Sequence, residues 1–349
     1  MNHKKIFMYR AIQLAKNGLG GASPNPMVGC LIERNGLILS EGWHYKVGMD
    51  HAEVNAINRI ENLSLLTDST LYVTLEPCAH FGKTPPCVDL IIKSKIPRVV
   101  IGIQDPCHKV NGLGIQKLRE NGIEVIENVL KEQCRILNRR FFTFYEKKRP
   151  YIILKWAQSD DGFMDSLKLK GNDKKKPLWI SGIYSRQLSH KWRSEEDSIL
   201  VGRKTVFNDN PKLDVRDWFG SNPIRIFMDR KLSISTSYFI LDGTKKTIVF
   251  TEKKKENHKN TEFVQISFDK EIIKNILNYL YQKNIFSLIV EGGRMTLESF
   301  LKENIWDESR IFICNIFLKD GLRAPVIDGR VIKNMHIGEK DKLIIKIPS

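Results

Sequence analysis

Residues 70–95 read TLYVTLEPCAHFGKTPPCVDLIIKSK, and they decide the architecture of the first half of the chain. The apolar, β-rich run at 70–75 predicts a strand. Pro77-Cys78 follows it directly, then a loop, then Pro85-Pro86-Cys87 at the start of a helix over 87–95. Working outward, strands are predicted at 28–33, 37–43, 98–103 and 124–126, and helices at 4–17, 51–61 and 113–121. Phe7, Ala11 and Leu14, with Met8, Ile12 and Ala15 beside them, give the first helix a core-facing stripe. This alternation predicts an α/β layered sheet.

A basic, aromatic stretch at 139–150 interrupts the pattern, and Pro150 precedes a new strand at 151–156. Further strands are predicted at 198–201, 224–229, 247–251, 286–291, 310–318 and 343–347, with helices near 182–194, 269–283 and 294–304. A chain of 349 residues fits two domains, each able to bury its own core. The boundary is placed at 147, giving domains 1–147 and 148–349. No repeat relates the halves, so they are two different domains.

Composition narrows the function. A hydrophobic share of 42% with 28% charged residues is ordinary for a soluble globular chain. No run approaches the roughly 18 apolar residues of a membrane helix. The N-terminus lacks an uninterrupted apolar segment and a small-residue cleavage site, so the cytosol is expected. Six cysteines in this length are not a disulfide framework, and Cys30, Cys134 and Cys314 read as small buried hydrophobes. The net charge of +16 is spread over runs such as 174–176 and 253–255, which read as solvated loops. It suits an anionic, phosphorylated small substrate better than nucleic acid. No nucleic-acid or membrane partner is expected, and a homo-oligomer is.

Three features carry the chemistry: His51-Ala52-Glu53 opening a helix, Cys78 after a strand, and Cys87 at a helix start. One imidazole and two thiolates leave a fourth tetrahedral position for water, the arrangement of a catalytic zinc. A helix N-terminus favours the thiolate that a metal requires at Cys87. Zinc lowers the pKa of water toward ~7. Glu53, two residues from the histidine, can take the proton and return it to a leaving amine. A closed structural zinc would need a fourth ligand, for which His80 or Glu76 is available.

The eight residues between Cys78 and Cys87 are more than the Cys-x-x-Cys of most deaminases. That loop, with Pro24-Asn25-Pro26-Met27-Val28-Gly29 upstream and Gln104-Asp105-Pro106 downstream, resembles the deaminase half of the bifunctional RibD family of riboflavin biosynthesis. The resemblance implies a cytidine-deaminase-like α/β/α domain acting on a diaminopyrimidinone that carries ribosylamine 5′-phosphate. It also implies that Asn25, His44, His80, Lys83 and Asp105 line the base and phosphate pocket. After Asp105-Pro106 the family often has Asn, whereas this chain has Cys107-His108.

The second half contains no G-x-G-x-x-G after a strand, but 286–290 runs into Glu291-Gly292-Gly293 and a helix. Such a turn lets backbone approach a ligand and offers helix N–H groups to a phosphate. Leu154-Lys155, Ser159-Asp160-Asp161-Gly162, Trp179-Ile180-Ser181, Gly202, Thr205 and Asn208-Asp209-Asn210-Pro211 extend the resemblance. It implies a dihydrofolate-reductase-like domain that reduces the ribosyl group with NADPH. By position, Ala157, Trp179, Thr205, Asp209, Arg230, Gly293, Arg294, Met295, Thr296 and Leu297 would hold the cofactor. Arg193, Lys212, Arg216 and Glu291 would face the substrate, and Lys155 or Asp209 would deliver a proton. Asp160, Pro177-Leu178 and Asn210 depart from the family pattern. Two rivals stay open at this point. One is a deaminase of tRNA or single-stranded nucleic acid with a basic binding domain. The other is a structural zinc protein without chemistry.

Overall fold

The computed structural model describes residues 3–81, 85–107, 110–166 and 178–349. It divides into two compact units, Met1–Lys148 and Arg149–Ser349. No helix among the described residues is long and apolar enough to cross a membrane.

The first unit contains α1 (His3–Ala15), β1 (Gly29–Arg34), β2 (Leu37–Trp43), α2 (Ala52–Ile57), β3 (Thr70–Val73), α3 (Cys87–Lys93), β4 (Arg98–Ile101), α4 (Leu113–Glu120), β5 (Glu124–Ile126), α5 (Lys131–Leu137) and α6 (Arg139–Lys147). The strand order is β2-β1-β3-β4-β5, with β3, β4 and β5 parallel and β1 antiparallel to both neighbours. Side chains alternate across the strands. Cys30, Ile32, Leu71, Val73, Val99 and Ile101 therefore pack with Ala52, Ala56, Val88, Ile91, Ile115 and Leu118 of α2, α3 and α4. Tyr72 points the other way and meets Phe7 of α1, with ring centroids 5.2 Å apart. The result is a three-layer α/β/α unit.

Two glycines let the helices lie close on the sheet. A Cβ at Gly29 would stand 2.0 Å from the Ala11 carbonyl oxygen of α1, and one at Gly42 2.4 Å from that of Ala52 in α2. The Gly42 contact sets the depth of the helix that carries Glu53.

The second unit contains β6 (Tyr151–Ser159), β7 (Phe163–Asp165), α7 (Ile183–Glu195), β8 (Ser198–Gly202), α8 (Arg203–Asp209), β9 (Ile224–Met228), β10 (Thr247–Thr251), β11 (Thr261–Gln265), α9 (Ile272–Gln282), β12 (Ser287–Val290), α10 (Arg294–Lys302), β13 (Glu308–Cys314), β14 (Leu322–Arg323), β15 (Arg330–Ile337) and β16 (Asp341–Ile347). Nine strands form one sheet in the order β11-β10-β9-β8-β12-β6-β13-β16-β15, and β14 pairs with β7 separately. The strands from β11 to β13 run parallel, and the β15–β16 hairpin is antiparallel at one edge. Helices α9 and α10 cover one face through Ile276, Leu280, Leu297 and Phe300, while Trp192 of α7 and Phe227 belong to the core of the other.

Both cores follow the sequence pattern, and Cys30, Cys134 and Cys314 are buried and free as expected. Several elements lay outside the prediction. The stretch expected to interrupt the pattern is helix α6, and α5 precedes it. Aromatic residues favour helix only weakly, and here burial of Phe141, Phe142 and Phe144 decides the matter. Strand β15 is exposed along nearly its whole length, so it lacks the apolar alternation that reveals a strand. Short α8 and β11 were equally silent.

Candidate active sites

In the first unit, His51 caps α2, Cys78 lies beyond the end of β3, and Cys87 opens α3. His51 Nδ1 is 3.2 Å from Cys87 Sγ and 3.6 Å from Cys78 Sγ. All three donor atoms lie within 4.8 Å of one another, and no other such group occurs among the described residues. One nitrogen and two sulfurs suit Zn2+, and three protein donors keep one position open for chemistry. Hydrogen bonds from Cys87 and His51 hold the Cys78 thiol down at about 4 against the opposing effect of burial. The lowering favours the thiolate, the form that binds metal.

Neither residue considered as a fourth, structural ligand is disposed for that role. The buried Glu76 carboxylate accepts backbone N–H groups of Asp105, Gly112, Gly114 and Ile115, at 3.2, 3.0, 2.9 and 3.2 Å. His80 is exposed on the wall of the cleft.

Glu53 lies in the first turn of α2 with 3% of its surface exposed. Burial pushes its carboxyl up to about 7, and His51 pulls it back only in part. His51, Cys78 and Glu53 line one cleft of ≈ 380 Å³ together with Asn25, His44, His80 and Asp105. The fifth residue expected there, Lys83, lies outside the described residues, as do His108 and Pro177. His44 is buried, and its Nδ1 lies 3.0 Å from the Asp50 carbonyl oxygen. A carbonyl only accepts, so Nδ1 carries the proton and Nε2 accepts from Asn25 Nδ2 at 3.1 Å. Burial lowers the His44 pKa, which keeps this ring neutral. Burial raises the Asp105 carboxyl to about 7, and its Oδ1 receives the Cys107 N–H at 2.7 Å.

The cleft also includes Glu76, considered from the sequence only as a metal ligand, and Cys107, Phe141 and Tyr145, which the sequence reading did not place there. Phe141 and Tyr145 stand one helical turn apart on α6, with ring centroids 4.8 Å apart. That i, i+4 spacing was visible, but only to a reader who took 139–147 as helix.

In the second unit the expected residues gather at the carboxyl ends of parallel strands, where ligands of such sheets bind. Lys155 of β6 lies 3.3 Å from Glu291 after β12, and Arg193 of α7 holds the other carboxylate oxygen at 2.6 Å. Burial opposes ionisation of Glu291, but Arg193 and Lys155 outweigh it and hold the carboxyl down at about 2. Burial lowers the Lys155 pKa, with Glu291 working against it. Arg193 Nε is buried and has no hydrogen-bond partner. Beside this trio, the Gly293 N–H donates to Thr205 Oγ1 at 2.9 Å, directly before α10. A Cβ at Gly202 would lie 2.5 Å from Thr296 Oγ1, so strand end and helix start are in contact.

The remaining expected residues are more dispersed. Trp179 and Arg216 share a second depression with Tyr184 and Asp217. Arg216 is paired with Asp214 at 2.8 Å, and Arg230, 58% exposed, with Glu252 at 2.7 Å. Lys212 Nζ lies over the Phe239 ring. Ala157 and Asp209 are half-buried, and Met295 is exposed. The Leu297 side chain is wholly in the core, so only its backbone can meet a ligand. Asn210, one departure from the family pattern, has φ 41° and accepts the Phe239 N–H at 2.8 Å. Asparagine tolerates that left-handed backbone, which accounts for the residue. Asp160 is exposed, and its N–H donates to Ile316.

A three-layer unit with a His/Cys/Cys donor set and a buried carboxylate, joined to a parallel-sheet unit of dihydrofolate-reductase type, defines a zinc-dependent deaminase coupled to a reductase. Residues 1–103 match the cytidine and deoxycytidylate deaminase zinc-binding region, and residues 150–342 the RibD C-terminal domain. The riboflavin biosynthesis protein RibD of Aquifex aeolicus is 43% identical over 97% of this chain and 94% of its own length. That of Actinobacillus pleuropneumoniae is 38% identical over 97% and 90%. The chain belongs to the RibD family, the bifunctional deaminase–reductases of riboflavin biosynthesis. The crystal structure of a diaminohydroxyphosphoribosylaminopyrimidine deaminase/5-amino-6-(5-phosphoribosylamino)uracil reductase from Thermotoga maritima superposes with a TM-score of 0.88 at 37% identity, covering 99% of both chains. Acinetobacter baumannii RibD superposes at 0.89 with 28% identity and the same coverage. The chain is thus both a hydrolase and an oxidoreductase, and its cofactors are Zn2+ and NADPH.

Proposed function

We propose that the first unit hydrolyses the exocyclic amine of 2,5-diamino-6-ribosylamino-4(3H)-pyrimidinone 5′-phosphate. The second unit then reduces the ribosyl group of the product to ribityl. The observation that carries this reading is the His51, Cys78 and Cys87 donor set meeting a cleft that His51, Cys78 and buried Glu53 line. Zn2+ held by those three residues supplies the Lewis acidity that makes water reactive at neutral pH. Glu53 takes a proton from the attacking water at its carboxylate and returns it to the amine, which leaves as ammonia. Asn25, His44, His80 and Asp105, with Lys83 by the family resemblance, bind the pyrimidine and its phosphate.

In the second unit, Thr205, Asp209, Ala157, Trp179, Arg230 and the 293–297 backbone hold NADPH, which supplies the hydride. Lys155, with its ammonium acidified by burial, gives the proton, and Glu291 fixes its position. Asp209 is the other candidate acid. Arg193 Nε is a buried donor awaiting an acceptor, which supports a substrate oxygen there. Arg216 and Lys212 serve the phosphate.

The same reading has the chain working in the cytosol as a homo-oligomer, apart from nucleic acid and membranes. Free cysteines suit a reducing compartment. Exposed Val331, Ile332 and Met335 on edge strand β15 suit self-association. Surface arginines paired with acids, such as Arg10–Glu41, Arg34–Asp68 and Arg98–Glu124, suit a solvated surface better than a nucleic-acid track.

The test is to supply the aminopyrimidine ribosyl phosphate with NADPH. Ammonia should appear first, and NADPH should fall only afterwards. With a chelator present, neither should change. NADPH consumed without prior ammonia release would overturn the proposed order, and ammonia released at full rate without zinc would overturn the first step.

A further inference from the structure

Asn138 stands at the joint between α5 and α6, far in sequence from the zinc ligands, with 3% of its surface exposed. Its side chain meets the backbone of a single residue from both sides. Asn138 Oδ1 accepts the Met27 N–H at 2.8 Å, and Asn138 Nδ2 donates to the Met27 carbonyl, also at 2.8 Å. Only a carboxamide of this length supplies a donor and an acceptor in that plane. Met27 directly follows Asn25-Pro26, both on the cleft, and Asn25 in turn donates to His44 Nε2. The two helices flanking Asn138 lie beyond residues 1–103, which match the zinc-binding region, and α6 brings Phe141 and Tyr145 to the same cleft.

We propose that Asn138 is a positioning residue for the deaminase substrate. By clamping the Met27 backbone, it fixes Asn25 at the lip of the cleft and couples the α5–α6 hairpin to substrate recognition. The inference rests on the reading of Asn25 as a substrate contact. The hydrogen bonds of Asn138 among the described residues go to Met27, Cys134 and Phe142 and not to the metal donors or Glu53, so its loss should weaken binding rather than the chemical step. Bound zinc reports on folding of the first unit, and the reductase half shows that the rest of the polypeptide is intact.

The experiment is a double-mutant cycle on the full-length enzyme using Asn138→Ala, Asn25→Ala and the pair. Deaminase KM and kcat, bound zinc and NADPH-dependent reduction of the deaminated pyrimidine are read for each. Asn138→Ala should raise the deaminase KM about tenfold, as expected for stranding two part-buried backbone groups. Zinc content, kcat and the reductase rate should stay near wild type. In the Asn25→Ala background, adding Asn138→Ala should change KM less than about twofold, because the pathway through Asn25 is already broken. Asn138→Asp keeps the acceptor but opposes the Met27 carbonyl, and should resemble the alanine variant. Additive effects of the two alanine substitutions would overturn the inference, as would a loss of zinc or kcat with unchanged KM. Asn25→Ala with an unchanged KM would overturn the reading of Asn25 itself and the inference with it. Asn25→Ala raising KM while Asn138→Ala does not would overturn the inference alone.

Discussion

The two units each bury a carboxylate, and they push it in opposite directions. Glu53 is raised to about 7, whereas Glu291 is held at about 2. Burial opposes ionisation in both, so the partners make the difference. Glu291 has Arg193 at 2.6 Å and Lys155 at 3.3 Å, two cations supplied by the protein. Glu53 has one imidazole and two sulfurs near it, a set that recruits its strong positive charge from a metal ion. The first unit therefore concentrates its chemistry in a few residues of restricted type. The second spreads it over strand ends, a helix start and backbone amides.

Substituting each carboxylate by its amide should expose that contrast most clearly. Glu53→Gln keeps the shape and removes the proton carrier. Deaminase kcat should fall by about 10²–10⁴-fold, while bound zinc and the reductase rate persist. Full deaminase activity in that variant would break the assignment of Glu53. Glu291→Gln should instead act on stability as well as on reduction, since it strands two largely buried cations, 13% and 11% exposed, at a cost of up to about 3–5 kcal/mol. Its pH dependence has a definite sign. Glu291 is held below its ordinary 4.5, so the ionised form stabilises the folded state above that pH. The contribution disappears as pH falls from about 4.5 toward about 2, and chemical denaturation of wild type and Glu291→Gln should converge over that window. A difference that widens toward acid would contradict the ion-pair account.

Two smaller effects sharpen the comparison. Gly42→Ala would place a Cβ 2.4 Å from the Ala52 carbonyl oxygen and lift α2 from the sheet. The strain should cost about 1–3 kcal/mol, and bound zinc should fall as His51 moves with its helix. Thr205→Val removes the acceptor of the Gly293 N–H. Loss of about 1 kcal/mol should raise the NADPH KM about fivefold and leave ammonia release untouched. An equal effect on both activities would mean that Thr205 acts through folding.

This asymmetry also explains what the sequence disclosed. Metal chemistry admits few donor types, so His51, Cys78 and Cys87 were legible from type, spacing and the strand–helix edges around them. Asn25, His44, His80 and Asp105 came from the family resemblance, and all four line the cleft. Phe141, Tyr145 and the Asn138 clamp were not legible. They depend on the closure of α5–α6 against residues more than a hundred positions earlier, and no local pattern reports such a contact. In the second unit, Lys155, Arg193 and Glu291 were recognised singly, but nothing in sequence says that one carboxylate bridges both cations. Leu297 shows the reverse limit. It falls within the 293–297 segment proposed to hold the cofactor, yet its side chain serves the core.

One chain carries two sites, and their chemical independence means that only the first requires zinc. The most direct test is to strip the metal from the whole protein and supply the deaminated pyrimidine with NADPH. Reduction should proceed at the rate of the zinc-loaded enzyme, while the original aminopyrimidine yields no ammonia. A reductase rate that falls in proportion to the zinc removed would contradict the account.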